Sequence, residues 1–313
     1  MIGKIIHSLF FLITGGIIPI LLNLLLVRLI LKIKLKQPNL RLMAALGLSN
    51  IVHGLGCVFY HVRLTGYLES LNNTVTTRAC MFHAPHITLF LLSNDMFTYS
   101  VFLICVERLV AFHASEKYVK MFSANRLNVV FIFFAIFIFA KVLFYWWIAL
   151  SRVDVQISNS CSFKEIFGLY YYSSLVSANL AFSWITVILY IFLLISSRIR
   201  KSTRFAKMGR FRMDRETFMT KSVFVVLLSS ILFQIFPSTL NLCKLWSKKQ
   251  NPLLYHSIII SLQNFNLNFT AIIYMIIHPG LRQELKEWHP CRFRVTSVSP
   301  EQYNVGVYIG NGK

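Results

Sequence analysis

CMFHAPHITLFLLSNDMFTYSVFLICVERLV, from Cys80 to Val110, runs for about thirty largely apolar residues and closes on an adjacent acid and base, Glu107-Arg108. A helix crosses the hydrocarbon core of a membrane in about 20 residues, so the run is long enough to span one. Charge inside or at the edge of such a span is expensive. An Arg or Asp at the centre of a membrane helix costs about 2.5 to 3.5 kcal/mol, and a chain that carries one usually does so for function. Which function depends on how many spans surround the pair and which way they face.

Composition places the rest of the chain in the same environment. Of 313 residues, 56% are hydrophobic and 15% aromatic, and mean hydropathy is +0.61. Soluble domains carry about 25% charged residues, whereas this chain carries 14%. Seven apolar runs are long enough to cross a bilayer: Ile5–Leu31, Leu40–Leu64, Cys80–Val110, Leu127–Leu150, Gly168–Ser197, Phe218–Trp246 and Leu253–Ile277. None alternates over about ten residues as a membrane β-strand would. The expected fold is an all-α membrane protein, a seven-transmembrane helix bundle with a short amphipathic helix after it. Residues 1-278 would form the bundle, 279-289 the juxtamembrane helix and 290-313 a short cytoplasmic tail.

The basic residues report orientation. The first run is too long for a signal peptide, lacks a small-residue cleavage site and has only Lys4 ahead of it. Its basic cluster follows it, at Arg28, Lys32, Lys34 and Lys36, and no large extracellular domain is expected before it. The loop after the fifth run holds Arg198, Arg200, Lys201, Arg204, Lys207, Arg210, Arg212, Arg215 and Lys221 against Asp214 and Glu216. Lys117, Lys120 and Arg126 follow the third, while Lys244, Lys248 and Lys249 after the sixth run against the trend. Odd loops are therefore cytoplasmic and the N-terminus extracellular. The net charge of +21 reads as topology plus attraction to anionic membrane lipids, with no nucleic acid as partner.

With that topology Glu107-Arg108 sits at the cytoplasmic end of span three. Other positions fall into a pattern with it: Asn23 in span one, Leu46-Gly47-Leu48-Ser49-Asn50 in span two, Phe233-Gln234-Ile235-Phe236-Pro237 in span six, and Ala271-Ile272-Ile273-Tyr274 closing span seven. His278-Pro279-Gly280-Leu281-Arg282-Gln283-Glu284-Leu285 follows as an amphipathic stretch on the inner face. Together these resemble a rhodopsin-like G-protein-coupled receptor. Glu107-Arg108-Leu109-Val110-Ala111 followed by Tyr118 resembles, more narrowly, the nematode serpentine chemoreceptors of the alpha/beta (Sra/Srab-like) class. The resemblance implies a chemosensory receptor, with a heterotrimeric G protein and a small chemical ligand as partners and the plasma membrane, that of a sensory cilium, as location. Homo- or hetero-oligomers are left open.

The resemblance also assigns roles. In the resting state Glu107 would hold Arg108, helped by Asp214 or Glu216 at the foot of span six. Outward movement of span six would expose Arg108 to the G protein, with Tyr190 and Tyr274 lining the opened crevice. Asn23, Asn50 and Pro237 are structural-switch positions. Departures narrow the family: an amide at Asn50 replaces the usual acid, so a bound sodium ion is not expected there. Thr270-Ala271 replaces Asn-Pro before Tyr274, and Ile235 takes the place of the usual aromatic residue two before Pro237. Pro237 should still bend its helix. The alternative for Glu107 and Arg108 is an anchor that snorkels into headgroups.

Cys80 and Cys161 both face the oxidising side, and a disulfide between them is the natural pairing, supported by the resemblance. Cys57, Cys105 and Cys243 read as packed thiols, Cys291 as a candidate for palmitoylation, and Asn72-Asn73-Thr74 as a sequon. Asp95 is thirteen residues before Arg108 and Lys141 fifteen beyond Arg126, so both lie roughly 20 Å from the cytoplasmic face at about 1.5 Å per residue. An ion pair between them is expected, the alternative being separate wet cavities. Ligand-binding candidates in the outer half are His86, Phe90, Asn94, Trp147, Tyr172 and His256. Taken singly, each reads first as bundle packing or interface belt and only then as a ligand contact. An apolar site with a few polar groups suits a small organic cue. No enzyme motif and no cofactor or metal site is read. The competing class is a seven-helix ligand-gated channel or transporter, for which broken helices and repeated charges would be needed.

Overall fold

The computed structural model describes residues 8–33, 38–66, 74–152, 155–159, 161–204, 224–246 and 253–287. Six helices are long and apolar enough to cross a membrane: Ser8–Lys32, Pro38–Thr65, Pro85–His113, Ala124–Ser151, Phe163–Ser196 and Phe224–Cys243. A seventh, Leu253–Ile277, has 25 residues, about 37 Å at 1.5 Å each against a hydrocarbon core of about 30 Å. These are spans one to seven of an all-α bundle. Lipid offers no partner to a backbone N–H or C=O, so long apolar segments satisfy both within the helix. Apolar side chains then face outward as well as inward. On span four Val129, Ile132, Phe133, Ile136 and Phe139 are each about two-thirds exposed, the mark of a lipid-facing surface.

Four irregularities interrupt the expected helices, each with a local cause. The run Cys80–Val110 is two helices, Thr77–His83 and Pro85–His113, parted at Ala84 (φ −123°, ψ 73°). Pro85 lacks an N–H and disfavours a helical residue before it. The fifth span is continuous with the preceding turn across Gly168, whose φ of 80° suits glycine. A β-carbon there would also meet the Arg152 guanidinium at 3.2 Å. Spans one and six each contain a π-helical turn, at Leu12–Ile17 and Ile231–Ile235. Each ends two residues before a proline, Pro19 and Pro237. The extra residue of a π turn relieves the clash between a proline ring and the carbonyl four residues earlier. Pro237 therefore acts on span six through a local change of register.

Two apolar clusters stack along the bundle. The one toward Glu107-Arg108, called inner here, gathers Leu26, Ile30, Leu40, Met43 and Leu46 with Tyr190, Tyr274 and Leu281; the one toward the opposite end, called outer, gathers Cys80, Met81, Ile87, Leu91, Tyr145, Ile166 and Phe167. On the outer side β1 (Thr74–Thr76) pairs antiparallel with β2 (Gln156–Ser158), Val75 opposite Ile157. A disulfide joins Cys80 to Cys161, with Cα atoms 5.6 Å apart. Arg63 ties this cap to span two by bonds to the His83 carbonyl (2.8 Å) and Asn159 Oδ1 (2.9 Å). At the inner end Pro279–Glu287 is helical. Lys32 Nζ meets Glu284 Oε2 at 2.6 Å and Leu281 is fully buried, so this helix is fastened to span one. Lys34, Lys36, Asn72, Asp214, Glu216, Cys291 and the tail 290–313 lie outside the described residues.

Candidate functional site

At the inner end of span three Arg108 Nε lies 2.8 Å from Glu107 Oε2, and the Tyr118 hydroxyl donates to Glu107 Oε1 at 2.6 Å. Adjacent residues on a helix point about 100° apart and do not normally face each other. Here Arg108 folds back so that its Nε comes within reach of the Glu107 carboxylate. Tyr118 comes from the short helix Ser115–Met121 in the loop after span three. Glu107 is thus held from two sides, and both charged residues are buried. Immediately outward lies a small apolar cavity lined by Val101, Ile104, Cys105, Thr186, Tyr190, Val226, Leu227 and Tyr274. Spans three, five, six and seven all contribute to it. Tyr190 and Tyr274 are both 1% exposed, so the crevice beside Arg108 is closed in this structure.

Deeper in the bundle Lys141 Nζ bonds Asp95 Oδ1 at 2.7 Å and Asn179 Oδ1 at 3.0 Å. Spans three, four and five meet in this group. Asn179 is a partner the sequence reading missed, though a lone amide in an apolar run was a visible signal. Polar contacts also gather along span seven. Asn50 Nδ2 donates to Asn23 Oδ1 at 3.1 Å, and Asn23 Nδ2 donates to the Pro19 carbonyl at 2.8 Å. Asn266 accepts from Ser229 Oγ at 2.6 Å and donates to Gln234 Oε1 at 2.9 Å. Asn268 donates to the Thr14 carbonyl at 2.9 Å, and Gln263 to Ser238 Oγ at 3.2 Å. Sequence reasoning passed over Gln263-Asn264-Phe265-Asn266-Leu267-Asn268, although four amides in six residues of a span is a strong pattern.

In the outer half Phe90 is the hub. Its ring lies 4.9 Å from His53, 6.1 Å from His86 and 6.3 Å from Phe163, and Phe163 stacks with Tyr172 at 6.4 Å. Phe163 follows the disulfide by two residues, so the covalent cap seats it over the bundle. Asn94 is exposed, yet it is seven residues before Val101 and so on the same helical face as Val101, Cys105 and Arg108. The face that is sealed below is open above. The residue pattern is thus an aromatic cluster around Phe90 in the outer half, joined along span three to a closed charged relay at the inner end.

The family model for the serpentine type 7TM GPCR chemoreceptor Srz matches residues 47–209. The chain belongs to that family. No curated protein matches it. The matched segment carries the Glu107-Arg108-Tyr118 relay, the disulfide and the Asp95–Lys141–Asn179 group of this receptor. The match names Srz and makes no assignment to the Sra/Srab-like class. The receptor is a multi-pass membrane protein of the nematode serpentine chemoreceptor type.

The receptor does not bring all the sequence candidates together. His86 is buried beside Tyr60, with ring centroids 5.2 Å apart, and belongs with Phe90 and Tyr172. Trp147 does not join them: it is 65% exposed and stacks on Phe144 along the outward face of span four. Its neighbour turns inward instead, with Trp146 Nε1 donating to Thr88 Oγ1 at 3.0 Å. One residue of helix is about 100° of rotation, which no run of consecutive aromatics can resolve. His256 falls in span seven, but its side chain is outside the described residues.

Proposed function

We infer that the receptor binds a small external chemical cue in its outer crevice and signals to a heterotrimeric G protein by moving span six outward and freeing Arg108. The observation that carries this reading is the Tyr118–Glu107–Arg108 relay at the foot of span three, beside a cavity with walls on spans three, five, six and seven. A surface anchor would leave both charges in water, whereas these are buried and held. The arrangement is bistable in principle, because the guanidinium can exchange one intramolecular contact for the carbonyls of an inserted peptide. A ligand shifts that balance only by its differential affinity for the two forms. Tyr172, Phe90 and Asn94 would supply ligand-facing chemistry on spans five and three.

The same reading puts the N-terminus outside, the helix Pro279–Glu287 and the tail in the cytoplasm, and the receptor in the ciliary membrane of sensory neurons. Asn72 would be glycosylated and Cys291 palmitoylated. The test is a panel of small volatile and soluble organics applied to cells expressing the full chain with a G-protein reporter. A cue that drives the intact receptor should fail with Arg108→Ala at equal surface level. A response that persists through Arg108→Ala, or an ion current without the reporter, would reject G-protein coupling through this residue.

A further inference from the structure

We propose that the π turn of span six is a one-residue register switch, read and held by the side chain of Asn266. The argument rests on spacing. Asn266 has a single carboxamide, and it bonds Ser229 on one side (2.6 Å) and Gln234 on the other (2.9 Å). These two are five residues apart. In an α-helix each residue turns about 100°, so residues five apart sit about 140° from one another and cannot both face one carboxamide. A π turn stacks residue i over i+5, and the π turn Ile231–Ile235 starts two residues after Ser229 and includes Gln234. The double bond to Asn266 therefore exists only in the π register.

Span one provides the contrast. Its π turn is pinned through backbone, the Thr14 carbonyl accepting from Asn268, and a β-carbon on Gly15 would collide with the Asn264 carboxamide. Its register is locked by close packing. The π turn of span six, which Pro237 favours, carries in addition a side-chain clamp from Asn266 that can break without displacing backbone. Loss of the Asn266 clamp lets the turn relax to α, and everything on one side of it rotates by one residue, about 100°. The inner side carries Val226 and Leu227, both buried in the wall of the cavity beside Tyr190 and Tyr274. Rotation takes both out of that wall. The outer side carries Ser238, bonded by Gln263 of span seven, so the two halves of span six are tied to span seven at separate points.

The proposal concerns register alone and does not depend on what binds either crevice. Its test is disulfide cross-linking of the full chain in membranes, with Leu227→Cys facing native Cys105 across the cavity. A protease site inserted in the loop after span five makes the cross-link the only covalent tie between the two fragments, and Cys105→Ala is the control. With Asn266 present the oxidised fragments should stay joined. Asn266→Ala should lower the yield at least threefold, and removing Leu232 in the same chain should restore it, because a plain α-helix without the extra residue returns Leu227 to its native phase relative to Pro237. If Asn266→Ala does not reach the membrane, Gln234→Leu is read in its place, with a lower yield expected. Wild-type yield in either variant, or no cross-link after removal of Leu232, overturns the switch.

Discussion

Lys141 Nζ lies 2.7 Å from Asp95 Oδ1, with both side chains largely buried between spans three and four. Neither charge is tolerable there alone. A charged group at a membrane helix centre costs about 2.5 to 3.5 kcal/mol, and breaking a buried pair by removing one partner costs about 3 to 5 kcal/mol. Asp95→Asn should therefore lower surface expression and the melting temperature of the purified receptor, and Lys141→Met added to it should recover part of both. A double variant no better than Asp95→Asn would show that the pair does not set stability.

Asn179 shares the same ammonium at 3.0 Å. Hydrogen bonds to charged groups contribute about 1.5 to 3 kcal/mol. Asn179→Leu should accordingly destabilise the receptor by about half as much as Asp95→Asn. Once Asp95 and Lys141 are both neutral, the same substitution should have little further effect. Thermal unfolding of the single, double and triple variants measures this coupling.

Tyr118→Phe removes the hydroxyl that holds Glu107 at 2.6 Å and leaves the aromatic ring in place. If about 1.4 kcal/mol of that bond favours the closed relay, its loss raises the open population about tenfold. Basal reporter output should rise several-fold at unchanged surface level. Output equal to wild type would mean that Tyr118 does not bias the relay.

The disulfide closes a separation of 81 residues. Loops of that size are worth about 4 to 5 kcal/mol in the chain-entropy account, and native bridges typically 2 to 5 kcal/mol. Cys80→Ser, Cys161→Ser and the double variant should lose expression to the same extent, because each removes the one bond. Unequal losses would assign a separate role to one of the sulfurs.

Adjacent tryptophans give a comparison of faces. Trp147→Ala, on the lipid side, should change melting by less than the equivalent of about 0.5 kcal/mol, as for exposed substitutions generally. Trp146→Phe leaves Thr88 without its indole donor and should cost about 1 kcal/mol. Reversal of that order would contradict the facing of span four.

Much of this receptor was legible in its residues. Hydropathy is a sum over neighbours in the chain, so the number of spans, their approximate ends and the basic inner loops could all be read along the sequence. Glu107, Arg108, Cys80 and Cys161 stood out because each is costly or reactive where it lies. The facing of Trp146 against Trp147 was not legible, nor the inclusion of Asn179, nor the clamp from Asn266 to Ser229 and Gln234. Each depends on how far one helix is rotated about its axis relative to another. An apolar run in lipid is uniformly greasy and carries almost no signal of that rotation. Both π turns show the same division: Pro19 and Pro237 announced a disturbance of the helix, while its form was decided by side chains brought in from span seven. The sequence by itself determined that seven helices cross a membrane with a charged pair at the end of the third. Only the packed structure decided which polar groups meet, because hydrogen bonds are short and directional and a one-residue change of register makes or breaks them.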